Sequence, residues 1–203
     1  MIRLYGTMAS VNAYKVRILL SILKLDWELV EIDMYGGEHK REPYLSLNRF
    51  GQMPAMQDGD FVVADSHACL VYLAREYGGE AWLPSDAEGA AKVAEWLSKS
   101  ASEIHQGPWM ARAKLRRPDA ITLSDDEIHA RCDHILGLME GHLAGRDWLA
   151  GDHATIADIS CFAPIHFLPE SGYATDKWAA VTAWLARVRA IPGAIDPDGN
   201  PFA

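Results

Sequence analysis

A chain of 203 residues with net charge −9, of which 49% are hydrophobic and 23% charged, has the make-up of a soluble globular protein. Folding would bury roughly 70% of its extended surface, enough for one domain or two small ones. The acidic balance argues against a nucleic-acid partner, and the lack of any apolar run near the roughly 18 residues of a membrane span, or of a signal-like start, makes a cytoplasmic protein with no membrane association the expectation.

In chain order, Ile2–Tyr5 reads as a short strand ended by Gly6, and Thr7-Met8-Ala9-Ser10 as a loop. A helix is predicted from about Asn12 to Leu25, with Val16, Leu19, Leu20 and Leu23 on its core face. Trp27–Ile32 is the next strand, which makes a right-handed parallel unit. The loop Tyr35–Arg41 leads to a helical turn near Pro43–Leu47. Pro54–Met56 and Phe61–Val63 form a hairpin about the Asp58-Gly59 turn. A helix from Ser66 to Tyr77 presents Leu70, Leu73, Ala74 and Tyr77 on one face and stops at Gly78-Gly79. The order β-α-β-α-β-β-α predicts one mixed sheet covered by helices, an α+β domain over residues 1–78.

Residues 79–86 read as a linker, and residues 87–203 as an all-α helical domain. One long helix runs from Ala87 to about Ile104. A second starts at the capping box Ser124–Glu127 and carries Ile128, Cys132, Ile135, Leu136, Met139 and Leu143 on one face. A third opens at Thr155–Asp158, a capping box with a shorter acid, and is expected to bend at Pro164. The last spans Lys177–Ala190, before Pro192-Gly193.

The stretch Asn48–Met56 organises the rest. Pro54 cannot donate to a ladder, so it opens its strand or sits on an edge and holds Met53 extended with its backbone polar groups free. A cis bond there would aim those groups at a strand-like ligand such as a short peptide, whereas a trans bond would mark a plain strand start. Ser66 fits a helix N-cap, and a helix N-terminus attracts anions. Cys69, Cys132 and Cys161 are widely spaced, without a Cys-x-x-Cys pair, and read as buried free thiols. His129, His134 and His142 do not repeat at ligand spacing, so no metal is expected. Arg112, Lys114, Arg116 and Arg117 read as a solvated helix face, with an anionic co-substrate as the alternative.

Ser10–Arg17, Asn48–Pro54, Asp65-Ser66, and Gly151-Asp152 with Thr155–Asp158 together resemble the cytosolic glutathione S-transferase family, over nearly the whole chain. The serine-type bacterial, phi and theta-like members are the most similar. The resemblance implies a thioredoxin-like N-terminal domain followed by a helical bundle, with glutathione as co-substrate. It makes Ser10 the donor to the glutathione sulfur, with Asn12 in a similar part; the bland reading is that both only cap the first helix. Met53 before a cis Pro54 would pair with the cysteinyl backbone, and Asp65 and Ser66 would hold the γ-glutamyl end. His39, Lys40 and Gln52 match positions near the glycyl end, though a solvated loop explains His39 and Lys40 equally.

Asp65 stands where glutamate is usual, Arg49 where proline is common and Val11 where many relatives have proline, but none of these removes a group the reaction needs. The electrophile pocket is expected between the domains, lined by Met8, Ala9, Trp109 and Met110, and suited to a small hydrophobic electrophile. A homodimer through the helices from Ser66 and Ala87, with Phe50 reaching across, follows from the same resemblance. The implied function is a detoxification transferase. A glutathione-dependent disulfide or peroxide reductase, and a non-enzymatic interaction module on the same fold, are the alternatives.

Overall fold

The computed structural model describes residues 1–202. Two compact units emerge: Met1–Glu80 together with the residues from Ile191 on, and Ala81–Ala190.

The first unit contains β1 (Ile2–Gly6), α1 (Val11–Ile22), β2 (Trp27–Glu31), α2 (Tyr44–Leu47), β3 (Ala55–Asp58), β4 (Phe61–Ala64) and α3 (Ser66–Leu73). Its sheet has the order β2-β1-β3-β4, with β1 and β2 parallel and the other pairs antiparallel. Period-two alternation turns Ile2 and Leu4 of β1 inward, where they join buried Val16, Leu19, Leu20, Met56, Leu70 and Leu73. Ile32, Tyr44 and Ala55 form a second buried cluster, with Tyr5, Leu47, Met53 and Ala64 packed against it.

Helix α1 ends at Ile22, short of the predicted Leu25. Lys24 adopts a left-handed φ of 54°, and the Leu25 and Lys24 amides donate to the Leu20 and Ser21 carbonyls at 3.1 and 3.0 Å, a Schellman closure. Strand β3 begins at Ala55, so Pro54 precedes the strand instead of opening it. At α3 the cap is Asp65, not the predicted Ser66: its Oδ1 accepts from the amides of His67 at 2.8 Å and Ala68 at 3.2 Å, leaving Ser66 as the first helical residue. Beyond Leu73 the backbone widens into a π turn over Ala74–Gly78. That extra residue per turn rotates Tyr77 off the predicted core face; it is 42% exposed and its hydroxyl donates to Asp58.

The second unit comprises α4 (Ala87–Ala101), α5 (Met110–Arg116), α6 (Asp125–Leu143), α7 (Ile156–His166) and α8 (Ala179–Arg189). The helix expected to run to Ile104 stops at Ala101, and a π turn over His105–Trp109 leads into α5. Pro108 lies in that turn, where a missing N–H and a bulky ring disfavour a regular ladder. The capping box at Ser124 is fully made, and the buried stripe of α6 is Ile128, Cys132, Ile135, Leu136, Met139 and Leu143, as its periodicity predicts. Every residue of α7 from Ile156 to Ile165 is buried, and Pro164 sits inside the helix without ending it. All three cysteines are buried free thiols.

Residues from Ile191 on group with the first unit, whereas the sequence reading assigned 87–203 to the helical domain. The Tyr14 hydroxyl of α1 donates to the Ile195 carbonyl at 2.7 Å, a bond that helical periodicity cannot announce.

Candidate functional site

The first unit gathers most of the predicted site at one end of its sheet. Tyr5 pairs with Ala55, so the end of β1, which feeds the Thr7–Ser10 loop, lies beside the start of β3, which follows Met53-Pro54. Ala55 pairs in turn with Ala64, and the Asp65 amide donates to the Pro54 carbonyl at 3.3 Å. The register therefore brings Ser10's loop, Met53-Pro54 and Asp65-Ser66 to neighbouring strand ends.

Ser10 is the N-cap of α1, its Oγ accepting from the Ala13 amide at 3.2 Å. Capping engages a lone pair of the hydroxyl and leaves its O–H to donate. The loop behind it is closed by the Ser10 amide on the Thr7 carbonyl at 3.0 Å. Asn12 is half-buried in the first turn, where unsatisfied amides and the helix dipole favour negative charge. Met8 and Ala9 are exposed in the loop.

Met53-Pro54 is a cis peptide, as is Glu42-Pro43, which the sequence did not signal. The Met53 N–H and C=O make no backbone hydrogen bond among the described residues. The carbonyl just before, that of Gln52, is fixed by two donors at 2.6 Å, the Tyr44 hydroxyl and the Asn48 amide nitrogen Nδ2. Burial pushes the Tyr44 hydroxyl up to about 12, which keeps it a donor. Gly51 closes the loop with φ +57°, and a Cβ there would come within 2.8 Å of the His39 carbonyl and 3.2 Å of Lys40 Nζ. This close approach seats His39 and Lys40, in the helical turn Glu38–Lys40, against Gly51.

Asp65 holds a φ of 81°, unusual for a residue with a side chain and a mark of strain at a cap. It is exposed, whereas Ser66 behind it is buried. Beneath them lies a pair that sequence reasoning missed: buried Lys15 of α1 places Nζ 3.3 Å from Nε2 of His67. Burial and, secondarily, the Lys15 ammonium push His67 down to about 4, so the neutral ring accepts from the lysine. The available signal was a lysine within the buried face of a helix.

Trp109 and Met110 belong to the second unit. Trp109 stacks on His105 at 4.1 Å between ring centres, and both Trp109 and Met110 remain partly exposed. The basic cluster splits: Arg116 and Arg117 are exposed, as expected of a solvated helix face, whereas Lys114 is partly buried and Arg112 is not solvated. Arg112 is buried, lies 3.5 Å over the Phe167 ring and pairs with Glu170 at 2.9 Å. Arg116 shares Glu170 at 3.7 Å, and Lys114 pairs with Asp125 at 2.9 Å. Arg112, Lys114 and Arg116 are thus paired with carboxylates of their own unit, which weakens the case for an anionic co-substrate there. Burial raises the thiol pKa of Cys69 and pushes Cys132 up to about 12. Among the described residues no cluster of His, Cys, Asp and Glu is arranged to hold a metal, and no helix is long and apolar enough to cross a membrane.

Comparison with known proteins gives this geometry a family. The model of the glutathione S-transferase N-terminal domain matches residues 1–75, and that of the C-terminal domain residues 124–192. Glutathione S-transferase PARB of Nicotiana tabacum is 30% identical over 200 residues, covering 94% of each chain. Glutathione S-transferase 3 of Zea mays is 37% identical over 169 residues, 78% of this chain and 74% of that protein. Among solved structures, a glutathione S-transferase from Xanthobacter autotrophicus superposes with TM-score 0.89 at 30% identity, covering 98% of both chains. A possible glutathione S-transferase from Rhodopseudomonas palustris gives TM-score 0.89 at 29% identity, covering all of this chain and 92% of that one. With a thioredoxin-like sheet unit, a helical unit and relatives of this identity along nearly its whole length, the chain belongs to the glutathione S-transferase family.

Proposed function

We propose that this transferase activates the thiol of glutathione at Ser10 and directs the thiolate at a small hydrophobic electrophile. The observation that carries the reading is the Ser10 hydroxyl at the N-terminus of α1, its O–H uncommitted by the cap, in the loop that leaves the end of β1 beside the start of β3. A thiol near its ordinary pKa of about 8.5 is mostly protonated at neutral pH, and the thiolate is the nucleophile. A hydroxyl donor and a helix N-terminus both favour the anion. Met53 would pair with the cysteinyl backbone, Asp65 and Ser66 would hold the γ-glutamyl group, and His39, Lys40 and Gln52 would meet the glycyl carboxylate. Asn12 supports the same anion from the first turn. The sulfur then bonds to an electrophilic carbon and the displaced group departs, with Met8 and Ala9 of the loop before Ser10 contacting the electrophile.

The thiol chemistry belongs to glutathione in this reading. The three protein thiols are buried and those of Cys69 and Cys132 are raised by burial, which speaks against a mechanism through a protein cysteine. A cytoplasmic homodimer completes the proposal. Phe50, Phe61, Val62, Val71 and Tyr77 are large apolar side chains exposed on the first unit, which supports an association surface there if they adjoin in the dimer contact. The test is steady-state conjugation of an aryl halide by native protein and Ser10→Ala. Loss of one hydrogen bond to a charged sulfur should lower kcat about tenfold to a hundredfold with the glutathione KM little changed. An unchanged kcat would remove Ser10 from the chemistry.

A further inference from the structure

Arg17 of α1 is only 1% exposed, yet its partners are neutral backbone carbonyls. Its Nη2 donates to the Pro197 carbonyl at 2.8 Å and its Nη1, in a longer bond, to the Met8 carbonyl at 3.4 Å. Its Nε is buried with no hydrogen-bond partner. The ring of Tyr14 lies 5.7 Å from the guanidinium carbon, and Asp196, Asp198 and Glu31 act on the charge from a distance. Burying a cation this way is a poor means of stabilising a helix face, because desolvation opposes it and no contact carboxylate offsets that. An apolar side chain would fill the same place with less penalty.

What an apolar side chain could not do is join two segments. The planar fork of arginine offers donors in fixed directions, and here they reach two pieces of chain far apart in sequence. One is the Thr7–Ser10 loop. The other is the segment after Ile191, which is itself firmly shaped. Tyr14, one helical turn before Arg17, holds the Ile195 carbonyl at 2.7 Å. The Asp196 carboxylate accepts from the amides of Asp198 at 2.9 Å and Asn200 at 2.8 Å, and Ile195 bridges Pro201. A fixed segment on one side of the guanidinium makes a fixed point for the loop on the other.

We propose that Arg17 is a positioning residue of the transferase reaction: its guanidinium clamps the Met8 carbonyl to the 195–201 turn and thereby fixes the Ser10 hydroxyl against the glutathione sulfur. The inference rests on the Ser10 reading above. It assigns the 195–201 turn a part in chemistry that its sequence, Ile195–Pro201, does not advertise.

The test uses full-length Arg17→Met and Arg17→Lys, with two readouts. Amide hydrogen exchange without glutathione should show the Ala9 and Ser10 amides losing about tenfold in protection in Arg17→Met, together with those of Asp198 and Asn200. Amides inside α6 should hold. The bound glutathione thiol should in parallel shift its pKa toward the free value while the glutathione KM stays. Arg17→Lys should recover part of both effects, because an ammonium reaches one carbonyl at a time. Faster exchange confined to residues 195–201, with the loop amides and the thiol pKa unchanged, would overturn the clamp and leave Arg17 as an anchor of that segment alone. If Arg17→Met does not fold, Arg17→Lys carries the same two readouts at smaller amplitude. Should Ser10→Ala leave the thiol pKa where it is, the Ser10 reading falls, and the exchange experiment still decides the clamp by itself.

Discussion

Replacing Asp158 with alanine should cripple the helical unit without touching the residues proposed to bind glutathione. Its carboxylate is fully buried and accepts from the Thr155 amide at 2.9 Å, the Leu149 amide at 3.0 Å and the Trp184 indole at 2.9 Å. One side chain thus joins the cap of α7, the chain entering it and the largest buried ring of α8. Each buried donor left without an acceptor costs about 1–3 kcal/mol, so the gross loss is about 3–9 kcal/mol. Part returns, because burial raises the Asp158 pKa and the penalty on its charge vanishes with the carboxylate. A net loss of about 3–5 kcal/mol is expected, and at about 2–4 °C per kcal/mol for a chain of this size the Tm should fall by about 6–20 °C. Circular dichroism melts and urea unfolding measure it, with Asp158→Asn, which keeps one acceptor oxygen and the shape, falling between the two. An Asp158→Ala protein melting within about 2 °C of native would refute the assignment of these three bonds as a structural hub.

Other outcomes follow from the first unit. Gly51→Ala puts a Cβ in a left-handed conformation and 2.8 Å from the His39 carbonyl; it should lose about 1–2 kcal/mol in urea unfolding and weaken glutathione binding by calorimetry, and no change in either would contradict the loop geometry. The His67 pKa is depressed in the folded state, so its contribution to stability is present above its unfolded pKa of about 6.5 and lost as pH falls toward about 4. His67→Gln should flatten the stability profile across that window, and an unaltered slope would show that the ring is not held neutral. Phe50, 63% exposed, should be part of the subunit contact, so sedimentation of Phe50→Asp should report monomer where the native chain reports dimer; native monomer would remove the dimer proposal.

What the sequence made legible was mostly local. The hairpin, the Ser124 and Thr155 capping boxes and the α6 stripe each depend on residues within a few positions of one another and stand as read, except that the hairpin turn is Gly59-Asp60, with Asp58 the last residue of β3. Met53-Pro54 and Asp65-Ser66 suggest a joint grip on a peptide from their residue types, and in the fold the β3–β4 register makes them neighbours. Misreadings came where a side chain's role is decided at a distance or by a small change of pitch. Asp65 took the cap from Ser66 by adopting positive φ, and the π turn at Ala74–Gly78 moved Tyr77 to the surface. Arg112 reads as solvated from its neighbours in sequence, and its partner Glu170 lies far along the chain. Lys15 and Arg17 break the apolar face of α1, and their reasons lie in His67 and in the carbonyls of Met8 and Pro197, which carry no residue-type signal.

The most direct test of the account is the ultraviolet absorbance of the thiolate of bound glutathione, titrated against pH for the native protein and for Ser10→Ala. The account predicts that the bound thiol ionises roughly two units below its free pKa, a preference of about 2.7 kcal/mol, and that Ser10→Ala returns most of that shift. A lowered pKa that survives Ser10→Ala would contradict the central claim and move the anion's support to Asn12 or to the amides of the first turn of α1.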